Sequence, residues 1–157
     1  MPSTERNKAI PACYLILEKD GNILMMLRQN TGYYDGHYVL PSGHLEAGEL
    51  PVDCLMREAK EEIGIDIDRA SVRLAHTMYR TKIDETGDRA DYFFTAYSSG
   101  EEPINCEPDK CVEIKWFPKN ALPENIMHHV GIALERIAHG ETYTELTKEE
   151  LKDNPAP

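Results

Sequence analysis

Three glutamates, Glu58, Glu61 and Glu62, crowd into the stretch Arg57-Glu58-Ala59-Lys60-Glu61-Glu62-Ile63-Gly64. On a helix turning about 100° per residue, their side chains span roughly 100° of the circumference. Val52, Leu55, Ala59 and Ile63 recur at helical spacing on another flank. One face is thus suited to a core, while another presents carboxylates. Like charges one turn apart cost a helix roughly a few tenths of a kcal/mol per pair, which Arg57 and Lys60 partly offset. Two readings fit the pattern. One is a solvated acidic face, as most charge runs are. The other is a site for a hard cation, because Mg²⁺ favours carboxylate oxygens and keeps waters and substrate phosphates as its remaining ligands.

Such a helix needs a scaffold. The run over residues 9–18 reads as a first strand, Asp20-Gly21 as a turn, and residues 22–28 as a returning strand, together a hairpin. A loop over 29–36 leads to a short strand at 37–40, ended by Pro41. The acidic helix is expected over 50–63, with Gly64 as its stop. Strands are expected at 72–81, 91–97 and 112–117. A last helix is expected over 123–138, stopped near Gly140, with Ile126, Val130, Ala133, Leu134 and Ile137 as its apolar stripe. Thr147 and Glu150 have the spacing of a capping box for a short polar helix. Strands dominate over two main helices, so the class is α+β, or a mixed sheet flanked by helices. The organisation expected is a flexible tail over 1–8, one domain over 9–140, and a polar extension with a short helix over 141–157, loose from 154.

The 157 residues suit one domain, and 41% hydrophobic content is that of a folded protein. No apolar run reaches the ~20 residues of a membrane span, and the polar start lacks the apolar stretch of a secretory signal. The cytoplasm is the expected compartment. Cys13, Cys54, Cys106 and Cys111 form no CxxC pair, so reduced thiols are expected rather than zinc ligands. With 17 basic against 28 acidic residues, the formal charge is −11, which disfavours nucleic acid as a partner. A small phosphorylated substrate still fits if cations accompany it.

The stretch ahead of the helix adds a longer pattern. Gly43 is followed by five residues and Glu49, then by seven residues and Arg57-Glu58, Ala59, Lys60, Glu61-Glu62, Ile63, Gly64 and Ile65. This resembles the Nudix box at every specified position. The lead-in Pro41-Ser42-Gly43-His44-Leu45-Glu46-Ala47-Gly48-Glu49 also looks like the family's, except that many members carry glycine where Ser42 stands. Residues 105–110 and Trp116-Phe117 resemble a segment of nucleoside-triphosphate-cleaving members. The likeness covers most of 9–138 and is weakest outside the box.

The resemblance implies an α/β/α sandwich with a mixed central sheet. It implies that Glu58 and Glu62 bind a divalent metal directly, with Glu61 close behind. Gly43 would offer a carbonyl, and a glutamate outside the box would complete the site. Glu107 is the choice for that role, with Glu101, Glu102 and Glu113 as rivals. Arg57 resembles the arginine that pairs with the earlier glutamate, here Glu49, and so supports catalysis by orienting; Gly64 is a backbone position. The cofactor implied is Mg²⁺, with Mn²⁺ as the alternative. The reaction implied is attack of water on a nucleoside diphosphate linked to a group X, with Glu61 or Glu107 taking the proton. A nucleoside triphosphate, standard or oxidised, is the leading substrate; ADP-ribose or a sugar nucleotide is the first rival. A binding module without catalysis is the second, although such modules usually carry a degraded box. RNA decapping fits poorly with the acidic charge. Tyr33, Tyr34 and Phe93, with Asn125, Met127 and His128, are candidates for a base pocket, against the alternative of plain packing. No histidine is assigned to metal. The state in solution is left between monomer and homodimer.

Overall fold

The computed structural model describes residues 4–98 and 100–150, without the side chains of 82–84. β1 (Ala9–Lys19) is buried without interruption from Ala12 to Leu17. That is the pattern of a central strand covered on both faces. Asp20 and Gly21 both adopt left-handed backbone, with φ of 51° and 78°. This lets a two-residue turn return the chain into β2 (Asn22–Arg28), paired antiparallel with Lys19 opposite Asn22. β5 (Arg73–Asp84) and β6 (Gly87–Ala96) form a second hairpin, and β6 runs parallel to β1. β3 (Tyr38–Val39) and β7 (Cys111–Pro118) both pair with β2. The sheet is therefore mixed, with the path β3-β2-β1-β6-β5-β8 once β8 (Tyr143–Leu146) is added beside β5.

α1 (Pro51–Ile63) and α2 (His128–Ala138) cover opposite faces of this sheet. The alternation of β1 shows it. The Cys13 sulfur meets Cys54 of α1 at 2.9 Å, while the next side chain, Tyr14, hydrogen-bonds His129 of α2 at 3.0 Å. Successive strand residues point to opposite faces, so the helices sandwich the sheet. All four cysteines are free thiols. Among the described residues, no helix is long and apolar enough to cross a membrane.

Three elements differ from the sequence reading. β4 (Ser42–His44) lies between Pro41 and the acidic helix, where no strand was expected, and pairs antiparallel with β1, Gly43 opposite Cys13. α2 begins at His128 rather than at 123, because the preceding backbone is committed elsewhere: Tyr38 N–H donates to Asn125 O and Met127 N–H to Tyr38 O, both at 2.8 Å. Ile126 thus stands ahead of the helix whose stripe it was expected to join. Residues 141–150, read as polar extension, hold β8 and a 3-10 turn, Lys148–Glu150, in which the Thr147 hydroxyl donates to Glu150 Oε1 at 2.9 Å. The tail expected from 154 lies outside the described residues. Residues 4–8 precede β1, and there Asn7 Nδ2 donates to Asp88 Oδ2 at 2.7 Å.

Candidate active site

α1 starts on a proline whose fixed φ suits a first turn, and ends where Gly64 turns left-handed at φ 70°. Leu55, Ala59 and Ile63 are buried, as the periodicity required, together with Cys54. Burying that flank turns Glu58 and Glu62 toward β4. The approach is close: a Cβ on Gly43 would stand 2.0 Å from Glu58 Oε1. Gly43 is therefore fixed by space rather than by backbone angle. Gly43→Ala is expected to push the Glu58 carboxylate aside, costing about 1–3 kcal/mol through overpacking. Any Mg²⁺-dependent turnover should fall about tenfold or more. Urea midpoints and kcat measured together check this; unchanged kcat would mean that Glu58 is not held where it acts.

Arg57 organises the carboxylates. Its Nε and Nη2 grip Glu49 Oε2 and Oε1 at 2.8 and 2.9 Å, while Nη1 donates to Glu58 Oε1 at 2.8 Å and Glu61 Oε2 at 3.3 Å. The Arg57 hydrogen bonds hold the Glu49 carboxyl down to about 2, helped by the Glu46 N–H. Such a bidentate pair fixes direction as well as charge. Glu62 is the opposite case. Burial pushes its carboxyl well above the usual range, the hydrogen bond and charge of Glu58 add to this, and the charge of Glu107 adds more. The Ser42 N–H, 3.4 Å from Glu62 Oε2, pulls the other way. Burial also raises Glu58, against the lowering effect of its bonds to Glu62 and Arg57. Burial and their nearness to each other thus both oppose charge on these two carboxyls, a cost that a cation between them would relieve.

Glu107 reaches this place because the chain after residue 103 caps α1. Ile104 N–H donates to Ile63 O at 2.9 Å and Cys106 N–H to Glu62 O at 3.0 Å. A Cβ at Gly64 would meet Ile104 and Cys106 at 3.0 and 3.1 Å. Glu62 and Glu107 then line one cavity of about 330 Å³. The rivals of Glu107 are engaged elsewhere: Glu101 accepts from Asp66 N–H, Glu102 pairs with Lys19, and Glu113 accepts from the Tyr38 hydroxyl. Among the described residues, no three acidic, histidine or cysteine side chains form a ready-made metal cage. The donor set nevertheless fits Mg²⁺. It consists of hard oxygens, and Mg²⁺ is commonly held by one or two carboxylates with phosphates and waters beyond them.

A second cavity of about 340 Å³ adjoins the first; Arg28, Val39 and Ser42 line both. Tyr33 and Met127, two of the candidates for a base pocket, line it. Tyr34 is buried, its ring edge-on to Tyr33 at 5.0 Å. Phe93 does not line a base pocket. It is fully buried and stacks on Tyr14 at 4.5 Å, so it acts through packing. Asn125 donates to Gly36 O at 3.0 Å, and His129 rather than His128 faces this cavity.

The sequence reading missed Arg28, Arg80, Arg89 and Asp91. The available signal was charge at inward strand positions: Arg89, Asp91 and Phe93 alternate on one face of β6, and all are buried.

His129 carries a pH prediction. Burial, then the charges of Arg80 and His128, hold its pKa well below the ordinary 6.5. Unfolded, it takes a proton as pH falls through about 6.5; folded, it stays neutral. The unfolded chain then binds more protons, so this group lowers stability as pH falls below about 6.5. His129→Gln removes that effect. The stability lead of the wild type over the variant should shrink between pH 7.5 and 5.5, read as urea midpoints; a constant lead would refute it.

A family model described as NUDIX domain matches residues 7–135. The chain is 32% identical over 68 residues to the 8-oxo-dGTP diphosphatase of Proteus vulgaris, covering 43% of this chain and 61% of that protein. It is 42% identical over 50 residues to the ADP-ribose pyrophosphatase of Methanocaldococcus jannaschii, covering 32% of this chain and 29% of that protein. The chain thus spans less than two thirds of these relatives. Among solved structures, the MutT NUDIX hydrolase from Burkholderia pseudomallei superposes with a TM-score of 0.73 at 26% identity, over 82% of this chain and 97% of the other.

Proposed function

The chain belongs to the NUDIX domain family, and from that membership we propose that it is a Mg²⁺-dependent pyrophosphohydrolase whose substrate is a nucleoside triphosphate, standard or oxidised, cut to monophosphate and pyrophosphate. The observation that carries the reading is geometric: Glu58 packs directly over Gly43 and Glu62 faces Ser42 N–H, with Glu107 lining the same cavity as Glu62. The triphosphate preference draws on the 8-oxo-dGTP diphosphatase relative. The ADP-ribose pyrophosphatase relative supports ADP-ribose or a sugar nucleotide as the second reading. The cytoplasm is the proposed compartment.

Glu58, Glu62 and Glu107 would hold the metal, with the Gly43 carbonyl as a further donor. Bound there, the ion would polarise phosphoryl oxygens and lower the pKa of water. The protein's own part is positioning. Arg57, fixed by Glu49, aims the Glu58 carboxylate, and β4 places Ser42 N–H against Glu62. For the proton of the attacking water, Glu107 is better placed than Glu61. Glu107 lines the cavity, whereas the Glu61 side chain is 53% exposed and lines neither cavity. Glu107→Gln should therefore lower kcat by about 10²-fold or more, the scale of a lost general base, and Glu61→Gln by less. The reverse order would assign the base to Glu61.

A substrate panel tests the proposal: standard and oxidised nucleoside triphosphates, ADP-ribose and sugar nucleotides with Mg²⁺, assaying pyrophosphate and phosphate separately. Pyrophosphate release from a triphosphate supports it. Cleavage of ADP-ribose or a sugar nucleotide alone selects the second reading, and no metal-dependent turnover on any of them defeats both.

A further inference from the structure

We propose that Gln29 and Asn30 are positioning residues: they hold Glu107 in the cavity of the glutamates by hydrogen-bonding the carbonyls of the turn that follows it. In one respect this rests on the proposed function: Glu107 is taken to serve the metal-dependent reaction there.

Glu107 is carried by neither a helix nor a strand. It stands at the head of a turn that leads into β7, half-buried itself and followed by exposed residues 108–110. Such a segment has no ladder of its own to fix the aim of a side chain, so the partners of its backbone groups decide it. Here five successive carbonyls, from Glu107 to Cys111, all accept hydrogen bonds. Glu107 O takes the N–H groups of Lys110 and Cys111, both at 2.9 Å, which closes the turn. Asn105 bridges its ends, donating from Nδ2 to Cys111 O at 2.8 Å and accepting Glu107 N–H at 3.1 Å. The remaining three carbonyls go to residues far back in the chain. Pro108 O accepts from Gln29 Nε2 at 2.8 Å, Asp109 O from Asn30 Nδ2 at 3.1 Å, and Lys110 O from Gln29 N–H at 2.9 Å.

The clamp takes over where a strand ladder stops. β2 and β7 pair as far as Arg28 opposite Cys111. At Asn30 the backbone turns left-handed, with φ of 55°, which asparagine tolerates better than most residues. Beyond that point the two amide side chains reach the carbonyls that a continuing strand would have reached. Their own loop is firmly held. The Asp35 carboxylate accepts from the N–H groups of Thr31 and Gly32 at 3.1 and 2.9 Å, and Arg28 donates to Tyr33 O at 2.7 Å and to the Thr31 hydroxyl at 3.0 Å. Asn30 and Thr31 line the same cavity of about 330 Å³ as Glu62 and Glu107. The turn that carries Glu107 is thus fastened to the wall of the cavity that Glu107 serves. Because residues 108–110 are exposed, water can replace a lost amide donor at their carbonyls. Losing the clamp should therefore cost the fold little and the aim of Glu107 much more.

The test uses the full chain with Gln29→Met, which keeps the length of the side chain without its donor, and with Asn30→Gly, which keeps the left-handed backbone. Amide hydrogen exchange at Lys110 and Cys111 should quicken in both variants, because the turn opens locally. Mn²⁺ binding without substrate, followed by electron paramagnetic resonance, should weaken about tenfold, the scale of a lost supporting partner. Turnover of the nucleoside triphosphate should show the same loss in kcat, with KM little changed. In a Glu107→Gln background the two substitutions should add little to either loss, since they act through Glu107. Losses that add in full there would mean that Gln29 and Asn30 act elsewhere, and would overturn the proposal. So would exchange unchanged in both variants, or faster exchange with Mn²⁺ affinity and kcat unchanged, which would leave a brace for the loop alone. Should Gln29→Met fail to fold, Asn30→Gly carries the test. A wild type that binds no Mn²⁺ and cleaves nothing in the nucleotide panel would defeat the proposed function, and the positioning role with it. A wild type that turns over normally beside indistinguishable variants would defeat the positioning role alone.

Discussion

Glu62→Gln is expected to lose at least about 10²-fold in kcat at saturating Mg²⁺ while the fold is kept. Even a partner that only supports a metal ligand typically accounts for about 10- to 100-fold, and Glu62 is proposed to touch the metal itself. The amide is nearly isosteric. Its oxygen can still accept from Ser42 N–H, and its N–H₂ can donate to the neighbouring Glu58 carboxylate. The variant therefore keeps the shape of the site but cannot offer a carboxylate to a cation. Stability should move in the opposite direction to activity. The Glu62 pKa is raised on folding, so a charged Glu62 opposes folding at pH above its ordinary value, and that penalty vanishes in the amide. At pH 8 the urea midpoint of the variant should equal or exceed that of the wild type, and the gain should shrink toward pH 5. Turnover near the wild-type level would remove Glu62 from the metal site. A falling midpoint at pH 8 would instead mean that the carboxylate supports the fold.

How much of this was legible depended on how local the signal was. Leu55, Ala59 and Ile63 fixed which side of α1 faces the core, and with it the direction of Glu58 and Glu62, because helical periodicity needs only the helix itself. The first hairpin was legible for the same reason: Asp20-Gly21 carries its own turn geometry. β4 was not, since Pro41-Ser42-Gly43 reads as loop and becomes strand only by pairing with Cys13 and Tyr14, distant in sequence. β8 depends likewise on a parallel partner, β5, far along the chain. The start of α2 was misjudged because the ladder to Tyr38 takes backbone groups that a helix would otherwise use.

The site divides along the same line. The acidic half was visible because its members share one helix and one spaced pattern. Glu107 was reached through resemblance, and its position follows from the cap that residues 104 and 106 place on α1. The basic half was invisible. Arg28, Arg80 and Arg89 come from three strands, and only the register that sets Arg80 opposite Arg89 brings two of them together. Phe93 shows the converse limit: a ring in a strand pattern carries no mark of whether it faces ligand or core, and this one faces Tyr14.

Asp91 is where the largest loss of stability is expected. It is fully buried, and its ion pair with Arg80 is buried on both sides, at 5% and 0% side-chain exposure. Burial pushes its carboxyl upward, while the Arg80 hydrogen bonds and charge pull it back. The pair is therefore weak evidence of net stabilisation, since well-packed apolar residues often do as well. Breaking it is another matter. Asp91→Ala leaves the Arg80 guanidinium buried beside Arg89 with no counter-charge, at a cost of about 3–5 kcal/mol. Asp91→Asn keeps an acceptor for one donor and should cost less, about 1–3 kcal/mol. The double variant Arg80→Met with Asp91→Leu should recover most of the loss, because the orphan charge leaves with its partner. Urea unfolding of the three variants reads these differences. A double variant no more stable than Asp91→Ala would show that the loss comes from packing rather than from the stranded charge.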